Sequence, residues 1–352
     1  MAPGPPGPPG PSGRAPVAFG RLAVPQLLAD LQQPDSGTRL RVLASLLDLI
    51  HDPERLYQTV TEGFLQQLKV LLKDKDPSVR TKTCEVLEVV ATHSLGRQVL
   101  LSPLRPLLVD LLEDCCAPCR RSVLRVMELL AVPPAGGAAL LTLVPRLVLK
   151  LEEEEDEEEE EVLLLSVVGR CSRLDALPAL GSNAVSLLRP RLTHRSSAVR
   201  REAAAAMMAL SVPVDGKRQL CEQDVLRLIV PLLKDEDVRV QTNAAGVVMN
   251  TVILTAGKQQ CLGLDVVPVL LDLVSEPPQE DQGDLGGRGR GRRKPLLLYS
   301  LQALSALAEA PAGRRLLLQQ LPLLERRSQD AQEDPDVRQA AQTAIRVITW
   351  TP

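Results

Sequence analysis

A helical pattern that recurs about every 40 residues constrains the fold of this chain more than any other feature of its sequence. Residues 63–96 show it best, because a short leucine-rich helix is followed by the charged turn 73–77 and by a longer helix that begins near Val79. The apolar residues of both helices recur at intervals of three, four and seven, which is the periodicity of a helix and not of a strand. Asp76 is a suitable N-cap for the longer helix, and Pro77 suits its first position.

The start of the longer helix supplies a reference position, Arg80, whose equivalents lie 39 to 41 residues apart except for one interval of 56. These anchor positions are Arg41, Arg80, Arg120, Glu161, Arg200, Gln241, Leu297 and Arg338. A glycine follows five of the anchors by sixteen residues, and two other units have Tyr57 and Leu177 at that place. The five glycines are Gly96, Gly136, Gly216, Gly257 and Gly313. We expect them to end the long helices, because glycine readily adopts the left-handed conformation that closes a helix.

The composition agrees with helices, because 45% of the residues are hydrophobic but only 1% are aromatic. Leucine and alanine favour helices, whereas an all-β fold needs many β-branched and aromatic residues. A period near 40, with one short and one long amphipathic helix per unit, is typical of armadillo and HEAT repeats. We therefore predict an all-α, armadillo/HEAT-like right-handed α-solenoid of about eight units, in which stacked neighbours bury one another's apolar stripes.

The repeat array is expected to span residues 17–352, and two segments are expected to be disordered. Residues 1–16 contain proline and a glycine at every third position, but three triplets are too few for a triple helix, which favours a polyproline-like tail. The long interval is explained by an insertion at about 277–295 that carries five basic residues among glycines. We interpret it as a solvated loop, with RNA contact or a nuclear import signal as the alternatives.

Ten consecutive acidic residues, Glu152 to Glu161, stand at the start of the fourth unit. The whole chain has a net charge of -3, so it would carry +7 without this run. Ten like charges repel one another, although acids near a helix N-terminus interact favourably with the helix dipole. We expect a loop that passes into a helix around Glu160 and that serves as a solvated linker or as a patch for a basic partner.

No pattern in the chain indicates a catalytic, cofactor-binding or metal site. Cys115, Cys116 and Cys119 include a CxxC spacing, but structural zinc needs four ligands and the next candidates in sequence are His93 and Cys171. We interpret this segment as a turn that carries thiols. The sequence contains no nucleotide-binding glycine motif and no hydrolase nucleophile motif. We therefore expect no enzyme activity, no small-molecule substrate and no cofactor.

The cysteine count and the hydropathy pattern bear on the cellular compartment. Seven cysteines in a long helical chain fit reduced thiols better than a disulfide framework. No apolar run of 18 or more residues occurs, and the N-terminus lacks a signal-peptide pattern. We expect an intracellular chain whose partners are neither membranes nor nucleic acids.

Asn243 and Asn250 are the candidate residues for partner binding. They delimit the segment 243–250, Asn-Ala-Ala-Gly-Val-Val-Met-Asn, whose small residues let helices approach closely and account for the whole motif except its last asparagine. Armadillo proteins that bind extended peptides use asparagines on successive long helices with tryptophans nearby. Here the place equivalent to Asn250 in the fifth unit is Ala209, and the only tryptophan is Trp350. We therefore expect recognition through an irregular surface.

Short segments in order along the chain, from about Val17 to Pro352, resemble the radial spoke head 14 family of axonemal armadillo proteins, also called the rhabdoid tumour deletion region protein family. The segments that carry the resemblance are Ala18-Phe19-Gly20, Leu49-Ile50-His51-Asp52-Pro53-Glu54, Leu71-Leu72-Lys73-Asp74, Val79-Arg80, the glutamate run, Ala179-Leu180-Gly181-Ser182-Asn183, Ser211 with Gly216-Lys217, and Ala308-Glu309-Ala310-Pro311. The Pro/Gly tail and the Gly/Arg insertion depart from the family pattern.

The resemblance implies a non-enzymatic scaffold subunit of the radial spokes of motile cilia and sperm flagella. It implies a location in the cytoplasm, the cytoskeleton and the axoneme, with other radial spoke or axonemal proteins as partners. The alternative is a soluble armadillo adaptor in nuclear transport or signalling, which the Arg-rich insertion favours. The missing ladder of asparagines and tryptophans favours the scaffold.

Overall fold

The structure, a computed structural model, describes residues 23–61, 63–152, 157–275 and 288–350, with backbone alone at 102–105 and 288–292. All regular secondary structure in these residues is helical, which confirms the all-α prediction. None of the described helices is both long and apolar enough to span a bilayer. The chain divides into two compact units, residues 1–143 and 144–352. The tail predicted for residues 1–16 lies outside the described residues.

The described part of the first unit is built from three successive repeats. Its helices are α1 Ala23–Asp30, α2 Ser36–Leu49, α3 Pro53–Thr61, α4 Phe64–Leu71, α5 Pro77–Thr92, α6 Ser94–Leu111, α7 Ala117–Leu130 and α8 Pro134–Leu140, followed by the 3-10 helix Leu141–Leu143. We call α2, α5 and α7 the stacking helices of this unit, because α2 packs against α5 and α5 against α7. The other helices connect one stacking helix to the next.

The second unit repeats the same scheme. Its helices are α9 Val144–Lys150, α10 Glu158–Ser172, α11 Leu177–Gly181, α12 Ala184–Leu188, the 3-10 helix Pro190–Thr193, α13 Ser197–Leu210, α14 Val214–Glu222, α15 Leu226–Leu232, α16 Val238–Thr251, α17 Thr255–Gly263, α18 Val266–Ser275, α19 Arg288–Leu307, α20 Pro311–Leu318, α21 Leu321–Gln329 and α22 Pro335–Thr349. Its stacking helices are α10, α13, α16, α19 and α22, each of which packs against the next.

Stacking buries the apolar stripes that the sequence pattern predicts. Val79, Val86, Leu87 and Val90 of α5 are fully buried, and the largest fully buried side chain is Phe64 of α4. An amphipathic helix of this length is stabilised mainly by burying its apolar face against neighbours, because an isolated helix is marginal in water. Each repeat therefore depends on the adjacent one for its core.

Acidic N-caps set the start of several stacking helices. The Asp76 carboxylate accepts a hydrogen bond from the Ser78 amide at 2.9 Å and Pro77 occupies the first turn, which confirms the prediction for α5. Asp35, Asp237 and Asp334 accept from backbone amides in the same way at the starts of α2, α16 and α22. Such a side chain satisfies a donor that has no partner inside the helix.

The five repeated glycines do not close the long helices, so that expectation was wrong. Each of the five glycines is the third residue of the helix that follows a stacking helix. None of the five has the positive φ of a left-handed helix end, because Gly63 is the one glycine with positive φ among the described residues. A Cβ at Gly96 would lie 1.9 Å from the Val90 carbonyl oxygen, and a Cβ at Gly216 would lie 1.7 Å from that of Leu210. The glycines are required because the chain passes directly over a carbonyl six residues earlier.

A basic residue after three of these glycines binds carbonyls at the end of the preceding helix. Arg97 donates to the Ala91 and Thr92 carbonyls at 2.8 Å, and Arg314 donates to the Ala308 carbonyl at 3.0 Å. The Lys217 ammonium donates to the Val212 carbonyl. These carbonyls have no partner within their own helix, so the cations satisfy them and interact favourably with the negative end of the helix.

The anchor residues lie four positions after the N-cap and reach back to a carbonyl six residues earlier. Arg80 donates to Asp74 O at 2.8 Å, Arg120 to Asp114 O at 2.9 Å and Arg200 to His194 O at 2.9 Å. Gln241 makes the same bond to Asp235 O at 2.8 Å. The anchors were therefore correctly placed in these four units.

The first anchor requires a correction from Arg41 to Arg39. Arg39 is the fourth residue after its N-cap, Asp35, and it donates to Gln33 O at 2.8 Å, six residues earlier. Arg41 instead donates to the Thr38 hydroxyl on its own helix. The sequence offered two arginines two positions apart, and only the N-cap geometry distinguishes them.

Ion pairs between the anchor arginines and aspartates of the next repeat connect neighbouring stacking helices. Arg80 binds Asp114 through two hydrogen bonds of 2.6 and 2.7 Å, and Arg200 binds Asp235 through two of 2.7 and 3.1 Å. The Asp114 side chain is 5% exposed and that of Asp235 is 6% exposed. Paired bonds of this kind are stronger than exposed single ones, because two charged donors meet one carboxylate in a shielded position.

The same aspartates organise the turn that precedes the next stacking helix. Asp114 accepts from the Cys116 amide at 2.9 Å, and Asp235 accepts from the Asp237 amide at 3.0 Å. Burial favours the neutral form of each carboxyl, but the hydrogen bonds from the arginine and from this amide outweigh it and lower the pKa of Asp114 and of Asp235. One carboxylate thus holds a turn and joins two repeats.

Helix α19 begins inside the segment predicted to be a disordered loop. Residues 277–287 of that segment lie outside the described residues, but residues 288–295 are helical, so the predicted loop extends too far. The Lys294 ammonium pairs with Asp334 at 3.0 Å and with Asp336 at 2.6 Å, which ties the start of α19 to the start of α22. The glycines of this segment favour a loop, but arginine and lysine are good helix formers and support the helix that is observed.

The acidic run enters a helix two residues before the predicted place. Helix α10 begins at Glu158, while residues 153–156 lie outside the described residues. Glu160 is 2% exposed, and Glu161 pairs with Arg191 at 2.7 Å. The last part of the run therefore packs into the second unit and is not a freely solvated linker.

We predict that Gly216→Ala destabilises the protein by about 1 to 3 kcal/mol, because the added methyl group would overlap the Leu210 carbonyl and displace the turn. The control is Gly263→Ala, where a Cβ would meet nothing within 4 Å. Urea unfolding of both variants, followed by circular dichroism, measures the difference. Equal unfolding midpoints for the two variants would contradict the assigned role of the repeated glycines.

We predict that the Asp114 and Asp235 ion pairs stabilise the protein at neutral pH and stop doing so in acid. A carboxyl with a lowered pKa in the folded state adds stability above the unfolded pKa of about 3.9, and loses it as pH falls through the folded value. The unfolding free energy of the wild type should therefore exceed that of Asp114→Asn or Asp235→Asn by a constant amount above about pH 5. The excess should shrink below about pH 4, and a pH-independent excess would be the contrary result.

Candidate partner-binding surface

Each stacking helix leaves one stripe of side chains outside the apolar core. The stripe recurs five, nine and twelve positions after the N-cap, and we call it the open face. On α5 it consists of Thr81, Glu85 and Glu88, all of which are half-buried. Half-burial at these positions follows from the packing of neighbouring stacking helices side by side. Such a stripe is accessible to a partner while its backbone stays fixed.

The open face of the first unit is apolar on α2, where it consists of Leu40, Ala44 and Leu47, and charged on α5 and α7. On α7 it carries Arg121, Arg125 and Glu128, whereas α5 carries two glutamates. Lys82 and Glu85 of α5 form an ion pair of 2.7 Å, and their side chains are 30% and 36% exposed. Because such charges form ion pairs, this surface of α5 and α7 is polar but has no large electrostatic potential of one sign.

The open face of the second unit is apolar at its centre. On α13 these positions include Ala205, which is buried, and Met208, which is half-buried, and on α16 they include the buried Gly246 and the half-buried Met249. In the turns that follow these two helices lie Val212, which is 60% exposed, and Ile253, which is 63% exposed. Methionine is flexible and polarisable, so a surface of this kind adapts to the apolar side chains of a partner.

Close packing of α13 and α16 shapes this apolar centre. A Cβ at Gly246 would lie 2.5 Å from the sulfur of Met208, so the methionine side chain occupies the space that the glycine leaves free. A Cβ at Gly169 of α10 would similarly lie 3.2 Å from the Cα of Ala206 of α13. The small residues therefore let the stacking helices approach, as the sequence pattern predicted.

Asn243 and Asn250 both donate to the preceding stacking helix. The Asn250 amide donates to the Ser211 hydroxyl at 2.9 Å and weakly to Met208 O at 3.4 Å, and the residue is only 9% exposed. The Asn243 amide donates to Arg201 O at 3.1 Å and is half-buried. Both asparagines thus contribute to helix packing, Asn250 included, and their role at an interface stays a prediction.

The residues considered for metal binding and catalysis do not converge. Among the described residues, no group of three or more His, Cys, Asp or Glu side chains is arranged to hold a metal ion. His194 accepts a hydrogen bond from the Ser196 amide at 3.1 Å, which is a local turn contact. All seven cysteines are free thiols, of which Cys115 is exposed and Cys116 half-buried.

Comparison with known proteins agrees with this geometry. The family model of the armadillo/β-catenin-like repeat matches residues 213–250, which span the repeat that contains α14, α15 and α16. The crystal structure of an engineered protein superposes with a TM-score of 0.65 over 94% of this chain and 99% of that chain, at 17% sequence identity. The fold is the armadillo α-solenoid.

Designed armadillo proteins show the same relationship over part of the chain. One designed armadillo repeat protein has a TM-score of 0.60, 19% identity, and covers 65% of this chain and 99% of that one. Another, solved in complex with the peptide (KR)4, has a TM-score of 0.60, 20% identity, and covers 65% of this chain and 99% of its own. Identities this low establish the armadillo fold alone.

Sequence reasoning missed the ion pairs that join neighbouring repeats. The signal was present, because an aspartate follows Arg39, Arg80 and Arg200 by 34 or 35 residues. A periodic pattern of one residue per repeat does not contain this spacing, because the spacing relates two residue types in neighbouring repeats.

We predict that Asn250→Ala destabilises the protein by about 1 to 3 kcal/mol, because it leaves the buried Ser211 hydroxyl without its donor. Asn243→Ala on the same helix is the control and should cost less, since its carbonyl partner is only half-buried. Thermal melts of both variants give the comparison. A larger loss for Asn243→Ala than for Asn250→Ala would refute this assignment.

Proposed function

We propose that the protein is a non-enzymatic scaffold subunit of axonemal radial spoke complexes that supports the motility of cilia and sperm flagella. The observation that carries the scaffold role is the open face of an armadillo α-solenoid, a rigid and extended surface with no convergent catalytic or metal-binding side chains among the described residues. The assignment to the axoneme is supported by the sequence resemblance to the radial spoke head 14 family.

The chemistry of the second unit's open face indicates which partners it would hold. Met208 and Met249 suit apolar side chains of a partner, whereas a basic peptide such as the one bound by the designed relative would require acidic residues there. Apolar contacts of this kind are little affected by salt, while contacts through the acidic run alone would be screened. A partner bound by the apolar centre should therefore remain bound at moderate ionic strength.

The second candidate is a soluble armadillo adaptor in nuclear transport or signalling. The observation in its favour is the basic sequence from Arg288 to Lys294, which could act as an import signal. Against it, Lys294 is already paired with Asp334 and Asp336. Other radial spoke or axonemal proteins, in the cytoskeleton of the cilium, are therefore the partners that we propose.

The decisive experiment removes the protein from ciliated cells and then restores variants. We expect cilia of normal length, an abnormal beat and radial spokes that are incomplete in tomograms, because a scaffold subunit is needed for assembly of its own complex and not for the cilium. The wild type should restore the spokes and resist extraction from axonemes at moderate salt. Complete spokes with a normal beat, or a protein confined to the nucleus, would overturn the proposal in favour of the adaptor.

A paired variant tests the surface itself. Met208→Glu with Met249→Glu places two charges on the apolar centre, and we expect the protein to be released from axonemes at lower salt. The control is Leu316→Glu on α20, where an exposed leucine receives the same charge away from the open face. Melting temperatures of all three proteins separate loss of binding from loss of folding. Equal retention of the pair and the control would show that this face is not the binding surface.

A further inference from the structure

The first turn of α7 brings two cysteines together. Cys116 is the N-cap residue, with φ -94° and ψ 107°, and Cys119 is the third residue of the helix. The Cys119 amide donates to the Cys116 carbonyl at 2.9 Å, which closes the turn between them. Residues three apart across a helical turn have Cα atoms about 5 to 6 Å apart, and this lies within the span of a disulfide.

The sequence between the two cysteines fixes this turn. Ala117 and Pro118 are the first two residues of α7, and proline holds the φ angle that a helix start requires. The Asp114 carboxylate accepts from the Cys116 amide at 2.9 Å and is itself held by Arg80. The backbone on both sides of the dithiol is therefore set by hydrogen bonds before any sulfur–sulfur bond forms.

The two thiols differ in their access to solvent. Cys116 is half-buried, and Cys119 is fully buried. The Cys116 side chain makes no capping hydrogen bond, and its sulfur lies 3.9 Å from the Thr81 hydroxyl. A small reagent would thus meet Cys116 first.

A third thiol prepares Cys119 to act second. Cys84 of α5 is fully buried beside it, and the two side chains are hydrogen-bonded. This bond lowers the pKa of Cys119, against the opposing effects of burial and of the Asp114 charge, and it raises the pKa of Cys84. Cys84 therefore donates to Cys119 within this buried pair, and Cys119 itself is shielded from solvent.

We propose that Cys116 and Cys119 form a redox-active dithiol that exchanges with a low-molecular-weight disulfide such as oxidised glutathione. The Cys116 thiolate attacks one sulfur of the disulfide, forms a mixed disulfide and releases one glutathione thiolate. The Cys119 thiolate then attacks the Cys116 sulfur, forms the intramolecular disulfide and releases the second glutathione. The two protons of the protein thiols pass to the two leaving thiolates, so one glutathione disulfide is reduced and one protein dithiol is oxidised.

The neighbouring Cys115 has a different role from that of the pair. It is exposed, its thiol faces the Asp114 carboxylate at 3.8 Å, and it precedes the helix. Its sequence neighbour is Cys116, and a disulfide between adjacent residues would strain the turn that Asp114 holds. Cys115 is therefore the accessible thiol that should exchange with glutathione without forming a bond inside the chain.

The test uses the full-length reduced protein in glutathione buffers of rising oxidised fraction. Free thiols are blocked with one alkylating reagent, disulfides are reduced, and the released thiols are labelled with an isotopically heavy form before mass spectrometry. We expect Cys116 and Cys119 to receive the heavy label together and to retain no glutathione. Their disulfide removes the mass of two hydrogen atoms from the intact protein, apart from any glutathione that Cys115 carries. Circular dichroism checks that every protein used is folded.

Three variants distinguish this pair from the other thiols. Cys116→Ser, which leaves a favourable N-cap, should abolish the disulfide. Cys119→Ser should trap glutathione on Cys116, because the thiol that would release it is absent. If Cys119→Ser does not fold, the labelling pattern of the wild type and the result for Cys116→Ser decide the question. Cys115→Ser should behave as the wild type. Each of three results would overturn the proposal. The first is glutathione retained on wild-type Cys116, and the second is a disulfide that includes Cys115 or Cys84. The third is unreacted Cys116 and Cys119 in a buffer that oxidises a control dithiol peptide.

Discussion

The structure depends on the packing of each stacking helix against the next. No repeat of about 40 residues can bury the apolar stripe of its long helix alone, so the hydrophobic core forms between adjacent repeats. Helix α5 illustrates this, because Val79 and Leu87 are fully buried on a helix that packs against both α2 and α7. The glycines, N-caps and ion pairs all serve to place one stacking helix beside the next.

Periodicity and helix-start chemistry were readable from the sequence. Asp76 and Pro77 specify the start of α5 through local hydrogen bonding and a fixed φ angle, both of which act within a few residues. The glycines were located correctly but given the wrong role, since a left-handed C-cap and a close approach to a carbonyl both require glycine. Only the coordinates show that Gly216 lies over Leu210 O.

The irregular binding surface that the sequence indicates stays a prediction, and its composition was not predicted. The open face is charged on α5 and α7 but carries methionines on α13 and α16. The packing role of Asn250 could not be predicted, because its partner Ser211 is 39 residues away and belongs to another repeat. Such contacts between repeats depend on the register between helices, which a pattern within one repeat does not contain.

The replacement of the anchor arginine by Gln241 has a mechanical consequence. At the N-terminal edges of α2, α5 and α13, an arginine carries an ion pair to the following repeat, so a force that opens that edge must separate opposite charges. Helix α16 has a neutral side chain at this position, and Gln241 binds a carbonyl that precedes its own helix. A force that opens this edge of α16 therefore meets no charge pair formed by the anchor residue itself, in contrast to the same edge of α13.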